Sequence, residues 1–141
     1  MSIMRRSFVA AAVLFALTIG AGAQNYPERV VKFVNPFPPG GSVDITARIL
    51  AQKLSENLGH QFIVENRAGA GGNTGSDSVA KSDPDGYTLL FTAPGPLTVN
   101  QTLYTKLSFD PAADFAPIAL FATAPIVLIV HPTWLRATCR S

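Results

Sequence analysis

Two short stretches of the chain carry residues whose types and spacing could do chemistry. One is Pro36-Phe37-Pro38-Pro39-Gly40-Gly41-Ser42, the other Ala68-Gly69-Ala70-Gly71-Gly72-Asn73. Both consist largely of residues without bulk, and each stands directly ahead of a segment with helical character. At a helix N-terminus the first backbone N–H groups have no partner within the helix, and the dipole favours negative charge. Glycine lets a backbone approach closely to a ligand or to a bridging water. The chemistry that suits both stretches is the holding of an anion, a carboxylate above all, by main-chain amides. Tight turns use the same residues, but two alike in equivalent positions favour binding. Asp44, in the first turn of the helix after the first stretch, could complement the dipole, position a water, or receive a ligand's amino group.

Other chemistries find less support. Gly69, Gly71 and Gly75 give G-x-G-x-x-x-G, one residue off the dinucleotide fingerprint, and no Gly-Lys-Ser/Thr follows to make a phosphate loop. His60 and His131 lie in a helix–strand turn and at a strand end, without metal-ligand spacing to Cys, Asp or Glu. Ser42 and Ser76 lack a positioned histidine that would make either a nucleophile. No catalytic set, metal or cofactor is implied. Asn100-Gln101-Thr102 matches a glycosylation sequon, a triplet that by itself carries little weight.

The elements that must position the two loops follow from periodicity. Val30-Val31-Lys32-Phe33-Val34 is a β-branched and aromatic run. Residues 43–58 have helical spacing: Val43, Ala47, Leu50, Leu54 and Leu58 share a face, with Arg48, Gln52, Ser55 and Glu56 away from it. Ser42 is placed to cap this helix, and Gly59 to end it in a left-handed conformation. Ile45 and Ile49 fall outside the main stripe, which predicts either a wide buried face or a patch for a part of the protein not present here. Phe62-Ile63-Val64 is a second strand core, residues 74–81 a short helix, and residues 87–91 a third strand after the turn Asp83-Pro84-Asp85-Gly86. A further short helix is predicted over residues 97–104. Two more apolar runs, 118–121 and 126–130, are separated by Ala124-Pro125. Alternating strands and helices with short connections predict an α/β fold with a mainly parallel sheet built from βαβ units. In such a sheet, ligands sit beyond the carboxyl ends of the strands, where both glycine stretches fall.

Arg5 and Arg6, an apolar run over residues 8–19, and Ala21-Gly22-Ala23 form the three-part pattern of a secretory signal peptide, with cleavage expected after Ala23. The apolar run is short against the ~20 residues a bilayer span needs. No cysteine stands near the cleavage position to take a lipid anchor. Without the first 23 of the 141 residues, nine Lys and Arg balance nine Asp and Glu, so no basic footprint for nucleic acid remains. Cys139 is the single cysteine, so stability must come from an apolar core rather than disulfides.

At the two loops the chain resembles a known family. Tyr26-Pro27, then Pro36-Phe37-Pro38-Pro39-Gly40-Gly41-Ser42-Val43-Asp44 with Ala47-Arg48, resemble the opening of the tripartite tricarboxylate transporter substrate-binding proteins, also called the Bug family. Val64-Glu65-Asn66-Arg67-Ala68-Gly69-Ala70-Gly71-Gly72-Asn73 and Asp83-Pro84-Asp85-Gly86-Tyr87-Thr88-Leu89-Leu90 resemble its next motifs in order and spacing. The resemblance covers residues 26–132. It implies a two-lobed, type II periplasmic-binding-protein-like fold and a role in solute capture rather than an enzyme. The ligand it implies is a small carboxylate: an amino acid, a di- or tricarboxylate, or an aromatic acid. Pro38, Pro39, Gly40, Gly41, Ser42 and Asp44 with Gly69, Ala70, Gly71, Gly72 and Asn73 would grip one carboxylate, and Thr92, Ala93 and Pro94 would border the cleft. A monomer in the periplasm is implied, handing ligand in some members to an inner-membrane tripartite permease.

Members of the family run to roughly 300 residues, as two lobes of ordinary size require. Residues 24–124 are therefore expected to form part of a first lobe. Residues 125–141 are expected to hold a strand crossing toward a second lobe, then a tail from Trp134 that departs from the family and reads as frameshifted or prematurely ended. The chain is accordingly expected to be a truncated or inactive fragment of such a receptor. The competing readings are a secreted α/β hydrolase-like enzyme, which would need a nucleophile–base–orienter set, and a non-functional pseudogene product.

Overall fold

The computed structural model describes residues 26–125, 127–129 and 131. The expected signal peptide and its cleavage position lie outside the described residues, as does the tail from residue 132. Three strands form one parallel sheet: β1 (Val31–Asn35), β2 (Phe62–Asn66) and β3 (Thr88–Leu90), in the order β2-β1-β3. Val31 is in register with Phe62, and Phe33 with both Val64 and Leu89. The α/β class with a parallel sheet is thus as the periodicity predicts.

Helix α1 (Ser42–Leu58) connects β1 to β2, and α2 (Asn73–Ala80), entered through a 3-10 turn at Ala70–Gly72, leads toward β3. The two crossovers run in opposite directions across the sheet. Right-handed connections then place α1 and α2 on opposite faces. Packing agrees: Ala51 of α1 clusters with Val31, Phe33 and Phe62, whereas Gly75 of α2 lies on Pro36, just past Val34. The sheet is therefore covered on both sides at β1, and Val31 and Val34 are fully buried. The Phe33 ring also meets Phe62 and Phe91 at centroid distances of 5.6 and 5.9 Å. At the amino ends of the strands, Tyr26 Oη donates to Gly86 O (2.7 Å) and Arg29 pairs with Asp85 while lying 4.1 Å from the centre of the Tyr87 ring. These contacts hold the entry to β1 against the turn before β3.

Several boundaries shift from the sequence-based expectation. Ser42 is the first helical residue and not the cap; Gly41 takes the cap position and no side chain bonds there. Gly59 does close α1 with φ 71°, its N–H bonded to Ser55 O. Leu58 leaves the expected buried face and is exposed. The third predicted helix resolves into a π turn (Gly95–Val99) and the single turn α3 (Asn100–Leu103). The apolar run 118–121 is exposed and forms no strand. Residues 127–129 have no regular structure, and the other two positions of that expected strand, 126 and 130, lie outside the described residues.

Ile45 and Ile49 settle one of the two readings of α1. Ile49 is 57% exposed and Ile45 is exposed as well, so the buried face is not wide. Replacing Ile49 by Asn should leave stability within about 0.5 kcal/mol of the parent, as for surface positions generally. Ala51→Leu, which overpacks the core cluster, should cost about 1–3 kcal/mol. Urea denaturation of the two variants checks this, and a large loss from Ile49→Asn would contradict the exposed face.

Candidate functional site

Both glycine stretches lie at the carboxyl ends of the strands, and they touch. Gly72 is where they meet: a Cβ built on it would lie 2.6 Å from Pro96 Cγ and 3.4 Å from Phe37 Cζ. With φ at +94° as well, the position excludes a side chain on two grounds. Phe37 belongs to the loop after β1, Gly72 to the loop after β2, and Pro96 to the turn that follows Thr92, Ala93 and Pro94 beyond β3. All three carboxyl-end loops therefore converge, as an open α/β sheet requires at a ligand site.

The first loop is shaped by Asp44. Its carboxylate is 5% exposed and takes three donors. Oδ2 accepts the Gly40 N–H at 2.9 Å and Arg48 Nε at 3.0 Å, and Oδ1 accepts Asn66 Nδ2 at 2.8 Å. Arg48 returns to Asn66 Oδ1 at 3.0 Å, which closes the cycle. The hydrogen bond from Arg48, then those from Gly40 and Asn66, hold the Asp44 carboxyl far below the usual carboxylate range. Beyond the three roles the sequence left open for Asp44, the geometry gives it a fourth, loop positioning: it holds Gly40 over the helix start and ties the loop to the end of β2. The i,i+4 spacing of Asp44 and Arg48 was a visible signal; Asn66, one of three asparagines in the neighbourhood, had none.

Pro38, Pro39, Gly40, Gly41 and Ser42 are all exposed. The first intrahelical bond of α1 runs from Ile45 N to Gly41 O at 3.0 Å. The amides of Ser42, Val43 and Asp44 consequently lack intrahelical acceptors, at the positive end of a helix of 17 residues. Asn35, at the end of β1 and in register with Asn66, accepts the Phe37 N–H on Oδ1 at 3.1 Å. Its Nδ2 is buried with no acceptor among the described residues.

The second loop keeps a left-handed path over four residues: φ is 148° at Gly69, 47° at Ala70, 63° at Gly71 and 94° at Gly72. Ala70 holds this conformation without glycine's freedom, at a cost of about 1–3 kcal/mol that the surroundings must offset. Gly72 N–H closes the turn on Gly69 O at 2.9 Å. Gly69, Ala70 and Gly71 are exposed, whereas Gly72 and Asn73 are buried. Asn73 turns inward, its Oδ1 accepting Asn100 Nδ2. Thr92 and Ala93 are half-buried and Pro94 is exposed; Pro94 O accepts the Leu97 and Thr98 amides and so starts the π turn.

At the opposite end of the sheet a surface cavity of about 430 Å³ is lined by Arg29, Lys32, Lys81, Asp83 and Thr88 among others. Its cations are spoken for: Arg29 pairs with Asp85, Lys32 with Glu65 and Lys81 with Asp77. Among the described residues no cluster of His, Cys, Asp and Glu could hold a metal ion, and no helix is long and apolar enough to cross a membrane.

A parallel sheet whose carboxyl-end loops converge and offer two helix N-termini has the form of an α/β ligand-binding unit. Comparison with known proteins names its kind. Residues 46–139 match the model of the tripartite tricarboxylate transporter family receptor, and the chain belongs to that family. It is 44% identical over 132 residues to the UPF0065 protein of the tcbD-tcbE intergenic region of Pseudomonas sp. (strain P51), covering 92% of this chain and 39% of that relative. Among solved structures it is similar to the periplasmic binding protein BugD, with a TM-score of 0.63 and 42% identity over 66% of this chain and 31% of BugD. It is also similar to MatC (Rpa3494) from Rhodopseudomonas palustris with bound malate, with a TM-score of 0.64 and 38% identity over 67% of this chain and 32% of MatC. The chain thus spans about two fifths of the length of the relative it matches.

Proposed function

We propose that residues 24–124 form the carboxylate-gripping part of a periplasmic solute-binding receptor of a tripartite tricarboxylate-type uptake system. The observation that carries this reading is the meeting of the two loop-to-helix junctions at Gly72 and Phe37, with unpartnered amides at the start of α1 and an exposed glycine turn ahead of α2. Main-chain N–H groups at helix N-termini suit a carboxylate, directly or through water. Pro38, Pro39, Gly40, Gly41 and Ser42 form one side of the grip, and Gly69, Ala70, Gly71, Gly72 and Asn73 the other. Thr92, Ala93 and Pro94 border it, and Asp44 holds the first side in shape. The buried Nδ2 of Asn35 supports the same polarity, because a buried donor calls for an acceptor. The malate bound to MatC is a ligand of this chemistry.

The finer parts of the reading follow the same line. Export uses the segment ending at Ala23. The receptor acts as a monomer, and residues 125–141 begin the passage toward a second lobe. An inner-membrane permease takes delivery of the ligand. Titrating the ¹⁵N-labelled chain with malate, adipate and, as a neutral control, malamide tests the central claim. The dicarboxylates should shift the amides of Gly41, Ser42, Val43, Gly69, Ala70 and Gly71 and raise the melting temperature by mass action, while malamide does neither. Acid-induced shifts scattered over the surface, or none at these amides, would sink the reading.

A further inference from the structure

Asn100 heads the Asn-x-Thr triplet that reads as a glycosylation site, yet the fold puts it to a different use. It is 5% exposed. Its Nδ2 donates to Gly71 O at 3.0 Å and to Asn73 Oδ1 at 2.6 Å, so both amide protons are engaged. A glycan would have to be built on that same nitrogen. Burial and hydrogen bonding therefore close the site to modification, and direct the side chain at the glycine turn.

The opposing wall comes from the same turn of helix. Tyr104 N–H bonds to Asn100 O at 3.0 Å, which sets the two side chains on one side of α3. A Cβ built on Gly71 would stand 2.8 Å from Tyr104 Oη and 3.5 Å from Asn100 Nδ2. Gly71 is thus seated between them. This seat supplies what the turn lacks on its own. Four successive left-handed residues, one of them Ala70, make a path that a free loop would abandon. The bond to Gly71 O fixes the middle of the path, and the bond to Asn73 Oδ1 fixes the first residue of α2.

We propose that Asn100 is the positioning residue of the Gly69–Gly72 turn, with Tyr104 as its backstop, and that it presets the turn's outward amides for a carboxylate. It acts through the loop and does not itself touch ligand. The second half of the proposal rests on the carboxylate-binding reading above; the first half does not.

Asn100→Asp keeps the shape of the side chain but aims an acceptor at two acceptors. Asn100→Ala, the milder change, removes the bonds without the repulsion. Both are made in the whole 141-residue chain. The readout is the ¹³Cα and ¹³Cβ shifts and the amide–Hα coupling of Ala70, which report its positive φ, with the Val31–Asn35 amides as a check on the fold. In the parent the Ala70 values should be those of a left-handed residue, and the Asn100 side-chain amide protons should exchange slowly. In both variants the Ala70 signature should average away while the β1 amides hold, and malate binding should weaken about tenfold, equivalent to ~1.4 kcal/mol.

Retention of the left-handed Ala70 signature in Asn100→Ala would overturn the proposal. So would fast-exchanging Asn100 amide protons in the parent, a measurement that stands even if both variants fail to fold. If the parent's glycine amides ignore malate altogether, the binding reading falls, and the Ala70 signature still decides whether Asn100 sets the turn.

Discussion

Replacing Gly75 by alanine is expected to lower the melting temperature by roughly 10 °C. A Cβ at this position would lie 2.8 Å from each of three atoms: Arg67 O, Pro36 Cα and Pro36 Cβ. Two of these are backbone, and they belong to the two loops that carry the site. Neither can yield without moving its strand end, so the methyl group must push α2 away from the sheet. Overpacking of this kind costs typically about 1–3 kcal/mol, occasionally more, and contacts this short against backbone belong at the top of the range. Alanine's better helix propensity returns about 1 kcal/mol. The net of about 2 kcal/mol converts to the stated shift at about 4–8 °C per kcal/mol for a domain of this size. Gly95→Ala is the matched control, because nothing lies within 4 Å of its Cβ position and its φ is not positive. Thermal denaturation of the two variants side by side decides the matter. Should Gly75→Ala melt with Gly95→Ala, the close seating of α2 on Pro36 is not what holds the loops together.

Gly75 also marks the boundary of what the residues alone disclose. It completes a near-miss to a dinucleotide fingerprint, and the spacing gave no hint that its work is close helix-to-sheet contact. By contrast, the strands were legible, because Val30, Val31, Phe33 and Val34 crowd into five residues and a covered parallel strand reads as an apolar run. The end of α1 was legible in Gly59 for the equally local reason that a left-handed cap favours glycine. What failed was long-range. Ser42 has the right chemistry for a cap, but Asp44 reaches back to Gly40 from inside the helix, and its hold depends on Asn66 from a strand 22 residues further on. Asn100 sits in a triplet that suggests a surface modification, and only the fold brings it onto Gly71, 29 residues earlier. Placement of the two glycine loops together was predictable from topology. The asparagines that hold them there were not, since a side-chain amide has no periodicity to betray its partner.

Loss of the Asp44 carboxylate should do to the first loop what a methyl group at Gly75 does to the space between the loops. In Asp44→Ala the Gly40 N–H, Arg48 Nε and Asn66 Nδ2 all lose an acceptor, and only Asn66 Nδ2 keeps another, Phe37 O at 3.3 Å. The pH dependence separates charge from shape. In the unfolded chain Asp44 takes up its proton near pH ~3.9; in the folded chain its three donors keep it ionised until far below that. As pH falls through 4, the unfolded state therefore binds more protons than the folded one, and stability declines with it. The contribution is complete at neutral pH and is lost progressively below about pH 4 as the folded carboxyl is approached from above. Glu65, Asp77 and Asp85 are also held below their ordinary values, by Lys32, Lys81 and the Tyr87 amide respectively, so the parent's own acid profile mixes at least these groups with Asp44. Asp44→Asn isolates one of them, since it keeps the shape and cannot titrate. Urea midpoints measured from pH 7 to pH 2 should show the parent well above Asp44→Asn at neutral pH and the gap narrowing below pH 4. A gap that stays constant down to pH 2 would mean that the loop is held by packing of Phe37 and Pro36, with the carboxylate a bystander.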